Sequence, residues 1–164
     1  MSDPDDTLPG TPMRISPDGL QFIKDAEGCR LTAYRDSVGV LTIGFGHTAG
    51  VHGGLSVTPQ QAEALLLDDL EAVYRCIQSK VSVPLSQGQF DALCSWIFNL
   101  GCGNFAASTL RAKLNEGDYE GAEKQFGRWV HAGGKSLPGL VTRRAGEAQM
   151  FAQADPDATN PQAA

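Results

Sequence analysis

Apolar side chains recur along this chain at helical spacing, in runs broken by glycine and proline. The clearest run is Ala62, Leu66, Leu70, Val73 and Ile77, at intervals of four, four, three and four. It predicts one long helix over 59–80 with a single buried face. Thr58-Pro59 in front of it supplies a capping side chain and a proline fit for the first turn. Ser16-Pro17 repeats that device before Leu20, Phe22, Ile23 and Ala26, so a helix is expected over 17–27. After Ser86 come Phe90, Leu93, Trp96, Ile97 and Leu100, a third helix that Gly101 stops. Shorter helices are predicted from Ser108 to Asn115, over 119–130 and over 138–153. Residues 32–57 break the helical period. Their short runs, punctuated by Gly, Ser and Asp, predict a small antiparallel sheet, with 49–56 as an open loop. His131 to Pro138 reads as a glycine-rich loop. A sheet followed by helices, without alternation, is an α+β pattern. Residues 1–14 and 154–164 carry Pro, Asp and little periodicity, and are expected to be a disordered arm and a loose tail.

Charge changes the picture only at the ends. The chain has a net charge of −6, but Asp3, Asp5, Asp6, Asp155 and Asp157 lie in the two tails, which hold no Lys or Arg. The body therefore sets 14 acids against 13 bases, too even for a nucleic-acid surface. The N-terminus shows neither a basic nor an apolar leader segment, and no apolar run approaches the roughly 20 residues of a membrane span. Synthesis into the cytoplasm is the expectation, with the chain a monomer. Cys29, Cys76, Cys94 and Cys102 allow three full pairings. A chain of ~150 residues buries enough surface to fold without staples. Free thiols, and a melting temperature little changed by reductant, are therefore expected. There is no C-x-x-C, and His47, His52 and His131 are scattered, so neither metal nor cofactor is expected.

Candidate chemistry concentrates in the stretch from Glu27 to Thr48. Glu27 ends the first helix, Asp36 follows at a turn, and Thr42 sits on the next predicted strand. A carboxyl on a helix end facing a carboxyl and a hydroxyl on a hairpin can split a glycosidic bond. One acid protonates the leaving oxygen and one base works on water. Acid catalysis asks that Glu27 hold its proton near neutral pH, which partial burial beside apolar groups promotes. Gly39, Gly44 and Gly46 bracket the hairpin and permit tight turns or close approach of a ligand.

This stretch, Glu27-Gly28-Cys29 through Gly44-Phe45-Gly46-His47-Thr48, resembles the active-site segment of the phage-type lysozymes, family 24 of the glycoside hydrolases. Later segments agree in order: Phe98-Asn99-Leu100-Gly101, Gly103-Asn104-Phe105, Ser108-Thr109-Leu110, Lys113-Leu114-Asn115, Gly117-Asp118, Trp129, Ala132-Gly133-Gly134-Lys135, Leu137-Pro138-Gly139-Leu140 and Arg143-Arg144-Ala145. The likeness runs from about Ile15 to Ala152.

The resemblance implies a lysozyme-like domain over 15–153. Its parts would be an N-terminal lobe over 15–58, a connecting helix over 59–80 and a helical lobe over 81–153, with the cleft between the lobes. It implies cleavage of the β-1,4 bond between N-acetylmuramic acid and N-acetylglucosamine in peptidoglycan. Glu27 would be the acid, with Asp36 and Thr42 handling water. By the same likeness Phe98, Asn99 and Ser108 lie near the glycan. His47 pairs with Asp69, with Asp68 as the fallback, to fix sheet to helix. Arg144 approaches Glu27. Because peptidoglycan lies outside the inner membrane, a separate agent such as a holin would release the enzyme into the periplasm. Two rival readings stay open: a lytic transglycosylase, which closes the sugar on itself, and a non-catalytic wall-binding module.

Overall fold

The computed structural model describes residues 12–132 and 134–153. The predicted tail, residue 133 and residues 1–11 of the predicted arm lie outside the described residues. Met13 and Arg14, expected in that arm, pack onto the body: Met13 rests on the core, and Arg14 pairs with Glu71 at 2.9 Å.

The element order is α1 (Pro17–Glu27), β1 (Arg30–Arg35), β2 (Leu41–Gly44), α2 (Pro59–Lys80), α3 (Gln87–Leu100), α4 (Cys102–Ala107), α5 (Thr109–Asn115), α6 (Tyr119–Gln125), β3 (His131–Ala132), β4 (Lys135–Ser136) and α7 (Pro138–Ala152). The fold is α+β. β1 and β2 pair antiparallel, with Tyr34 opposite Thr42 and an irregularity between Arg30 and Tyr34. Bridges from Thr32 to Ser56 and from Ile43 to His47 extend this hairpin into the following loop.

The predicted caps are present. Ser16 Oγ accepts from the Gly19 amide, and Thr58 and Ser86 each close a reciprocal capping box with a glutamine three residues on. Three local differences from the sequence reading stand out. The residues after Gly101 form α4, too short to show a period. The helix expected over 119–130 ends at Gln125 and tightens into a 3-10 turn over Phe126–Arg128. The predicted glycine-rich loop contains the two-residue strands β3 and β4.

The core centres on α3, whose residues from Phe90 to Ile97 are all buried. It packs against α1, α2, α4 and α7. Trp96 meets Phe105 and Trp129 edge-on, with ring centroids 5.9 and 5.3 Å apart. The same helix fixes α1 through a polar anchor. Buried Asp91 accepts hydrogen bonds from Ser16 Oγ, from the Ser16 amide at 3.0 Å and from Gln87 Nε2 at 2.8 Å. A side chain at Gly146 would strike the Phe22 ring at 2.5 Å, so α1 and α7 touch closely only because that position has none.

Cys76 on α2 and Cys102 on α4 form a disulfide, with Cα atoms 5.9 Å apart; Cys29 and Cys94 remain free. The expectation of four free thiols is corrected for this pair. Fold size shows that a bridge is not required, but it does not show that two cysteines stay apart, and α4 brings Cys102 beside Cys76.

Closing a loop of 26 residues stabilises a chain by about 3–4 kcal/mol in the loop-entropy account. Dithiothreitol, or Cys76→Ser, should therefore lower the melting temperature by about 10 °C. A scanning-calorimetry shift under 2 °C would contradict the bridge's contribution.

Candidate active site

Glu27 is the last residue of α1, and Gly28 turns the chain out of the helix toward β1. Its side chain is one-fifth exposed, between two open hollows. One, of about 390 Å³, is lined by Glu27, Gly46, Thr48, Asp69, Phe98, Asn99 and others from α2 and α3. The second, of about 780 Å³, is lined by Phe22, Glu27, Asn99, Leu137, Leu140, Arg143 and neighbours. Glu27 and Asn99 line both, so one groove passes the carboxyl on either side.

The two oxygens of Glu27 are held differently. Oε2 accepts from Arg143 Nη1 at 2.6 Å. Oε1 lies beside Gly46, where a Cβ would sit only 3.1 Å away. Gly46 also has φ +81°, which a larger residue rarely adopts. Both facts favour glycine there, and among the described residues the carboxyl is hydrogen-bonded at Oε2 by Arg143 and not at Oε1.

Arg143 is the arginine that meets Glu27, and the assignment to Arg144 is corrected. Consecutive helical residues project about 100° apart, so only one of the two can reach the groove. Arg144 turns inward, is fully buried, and donates from Nη2 to Asn99 Oδ1 at 2.7 Å and to Glu147 Oε2 at 3.2 Å. Burial lowers its affinity for a proton, and the like charge of Arg143 adds to that, against the pull of Glu147 and Glu27. A guanidinium can only donate, so Asn99 must turn its oxygen toward Arg144. The two N–H bonds of its amide are then left for the groove it lines.

On the hairpin, Asp36 is half-buried and its Oδ1 accepts from the amides of Val38 and Val40, at 3.0 and 2.8 Å. The carboxylate thus builds its own turn with one oxygen and keeps Oδ2 available. Thr42 is buried and donates its hydroxyl to the Val40 carbonyl at 2.9 Å. Its oxygen retains the capacity to accept. Neither residue is among those lining the two hollows. Phe98 is half-buried in the first hollow. Ser108 is elsewhere: it is buried, donates to Phe105 O at 2.7 Å and accepts from the Arg111 amide at 3.0 Å. Both bonds belong to the start of α5, which leaves no hydroxyl proton for a glycan.

His47 Nδ1 lies 2.9 Å from Asp69 Oδ2, and its Nε2 lies 2.8 Å from Ala49 O. The pair joins the loop after β2 to α2, and Asp69 rather than Asp68 is the partner. Among the described residues no three His, Cys, Asp or Glu side chains gather as a metal site.

Sequence reasoning missed Arg143, Glu147 and Ser95. The signal was there. On α7 the buried face runs through Arg143, Arg144, Glu147 and Phe151, so charges stand where the helical period calls for apolar residues.

A groove open on both sides of one carboxyl, with the loop after β2 along one side, has the shape to take a polymer strand along its length, as in a lysozyme-type glycoside hydrolase. Comparison with known proteins narrows the class. The model of the family described as phage lysozyme matches residues 24–147. The endolysin of Acyrthosiphon pisum secondary endosymbiont phage 1 is 45% identical over 146 residues, 87% of this chain and all of that protein. The endolysin of Salmonella phage P22 is 44% identical over 144 residues, 85% of this chain and 98% of that one. Among solved structures, a P22 lysozyme mutant superposes with a TM-score of 0.80 at 41% identity, covering 86% of this chain and 99% of that one. The muramidase domain of SpmX from Asticaccaulis excentricus gives 0.81 at 36% identity, with the same two coverages. The chain belongs to the phage lysozyme family.

Burial pushes the Glu147 carboxyl up to about 7, against the pull of Arg144, Ser95 and Arg143. A carboxyl whose folded value exceeds its unfolded value binds more protons in the native state. Its contribution is most favourable below about 4.5 and is lost as pH rises through about 7. The loss is on the order of 3 kcal/mol. The melting temperature of wild type minus that of Glu147→Gln should therefore fall across this window. A difference that stays flat from pH 4 to pH 8 would contradict the assignment.

Proposed function

We propose that this peptidoglycan hydrolase cuts the β-1,4 bond after N-acetylmuramic acid with Glu27 as general acid. The observation that carries the reading is the carboxyl at the waist of the groove, with Oε2 tied to Arg143 and Oε1 open beside Gly46. A glycan strand lying across both hollows brings its glycosidic oxygen to Oε1. Proton transfer from Oε1 releases the downstream sugar as an alcohol and leaves positive charge on the ring carbon of the muramic acid. Asp36 then serves as base through its available Oδ2 and takes the proton of the attacking water, and Thr42 holds that water by accepting a hydrogen bond from it. Attack from the face opposite the leaving group inverts the anomeric centre. Phe98 offers a flat apolar face to the sugars, and Asn99 offers its two N–H bonds to their hydroxyl or acetamido oxygens. His47 and Asp69 keep the hairpin's loop fixed on α2.

Replacing Glu27 by Gln keeps the shape and removes the transferable proton. Lysis should drop at least ~100-fold with the fold intact; near-normal lysis would remove Glu27 from the chemistry. Thr42→Val deletes one water-holding hydrogen bond of about 1.4 kcal/mol, so kcat should fall about tenfold. Mass spectrometry of digested peptidoglycan should show reducing-end muropeptides, and early NMR spectra should show the inverted anomer. Anhydro products would instead establish the transglycosylase.

Release from the cell is assigned to a separate membrane pore, a holin. No helix among the described residues is long and apolar enough to cross a membrane. The family also holds chains designated SAR-endolysins, one from Enterobacteria phage P21 being 42% identical over 125 residues. Cells expressing this chain alone should keep their turbidity until the inner membrane is permeabilised. Spontaneous lysis without a pore would overturn the assignment.

A further inference from the structure

Behind Glu27 stands a chain of buried groups that the hydrolysis itself leaves unused. Glu147 on α7 is fully buried. Its Oε2 accepts from Ser95 Oγ at 2.5 Å and from Arg144 Nη2 at 3.2 Å, and lies 3.5 Å from Arg143 Nε. Its Oε1 is 2.9 Å from Arg144 Nε. Ser95 on α3 in turn holds Arg143. Its Oγ accepts from Nε at 3.2 Å, and its carbonyl accepts from Nη2 at 3.2 Å. Two of the three guanidinium nitrogens are thereby fixed from behind, and only Nη1 reaches forward to Glu27. Resting on the reading of Glu27 as the acid, we propose that Glu147 and Ser95 are positioning residues for the hydrolysis, acting through Arg143 to decide which oxygen of Glu27 is bound and which is left to the sugar.

Two physical arguments support this. First, buried ions are a poor way to stabilise a helix contact, because well-packed apolar residues of similar volume do as well or better. A cluster of two arginines and a glutamate at the α3–α7 contact therefore calls for another use, and the part-exposed acid it touches is Glu27. Second, a guanidinium is a rigid planar fork. Fixing Nε and Nη2 fixes the direction of Nη1, which a flexible ammonium would not do. The charged groups facing Glu147 are Arg143 and Arg144 from its own helix. The α3 helix presents Ser95 and Asn99, and α1 presents Glu27 across Arg143.

The test uses the full chain, with Ser95→Ala and Glu147→Gln assayed on soluble glycan oligomers from pH 4 to pH 9. Circular dichroism verifies folding. Both variants should lose about tenfold in kcat with KM within about twofold, the signature of an interaction made in the transition state. In an Arg143→Ala background, adding either substitution should change kcat less than about twofold, because the path they act through is gone. Folded variants with wild-type kcat, or losses that multiply with Arg143→Ala, would overturn the proposal. If Glu147→Gln does not fold, Ser95→Ala and its cycle with Arg143→Ala decide alone. A Glu27→Gln enzyme of normal activity would overturn the Glu27 reading itself. Collapse of Glu27→Gln beside an undiminished Ser95→Ala would overturn only the positioning.

Discussion

The contact on which the site depends is the hydrogen bond that Arg143 donates to Glu27 Oε2. It joins the end of α1 to α7, and Ser95 ties the same guanidinium to α3. Three helices thus meet at one planar group. The arginine side chain is 7% exposed, so the contact works in a poorly solvated setting, where hydrogen bonds are stronger than in water. Other features bring these helices into register. Asp91 anchors the start of α1 on α3, and Gly146 lets Phe22 of α1 settle on α7. The far end of α1 then has little freedom, and Glu27 stands at a fixed height in the groove.

The loop after β2 supplies the other wall, and the hairpin that carries it is held by different physics. It is a two-stranded unit, marginal on its own. Asp36 closes its turn, the Ile43–His47 bridge carries it into the loop, and His47 pairs with Asp69 on α2. Gly46 lies in that loop and receives the carboxyl of Glu27. The residue read as the base therefore also shapes the strand that carries Thr42. Replacing Asp36 would disturb geometry as well as chemistry, and Thr42→Val removes one hydroxyl together with its bond to the Val40 carbonyl.

Much of this was legible in the sequence, because local rules govern it. Ser16-Pro17 and Thr58-Pro59 marked helix starts, and the spacing of Ala62 to Ile77 marked a 22-residue helix with one buried face. The order Glu27, Asp36, Thr42 identified the candidate chemistry. What escaped depends on tertiary placement. Nothing in the pair Arg143-Arg144 says which one points at the groove; the rotation of α7 against α3 decides. Ser108 was readable as the cap of a helix as well as a glycan contact, and its bonds at the head of α5 are those of the cap. The Cys76–Cys102 bridge needed α4, a helix of six residues that no periodicity announces. Glu147 was readable only as an anomaly, a charge on a face that should be apolar.

The central claim is that the Glu27 oxygen beside Gly46 protonates the scissile bond while its twin stays on Arg143. A crystal structure of the Glu27→Gln enzyme with a bound peptidoglycan oligomer tests it most directly. The account predicts an intact glycan across both hollows, with one glycosidic oxygen about 3 Å from the side-chain atom of position 27 that faces Gly46. The opposite atom should remain on Arg143. A glycan bound elsewhere, or one whose nearest glycosidic oxygen faces a different carboxyl, would contradict it.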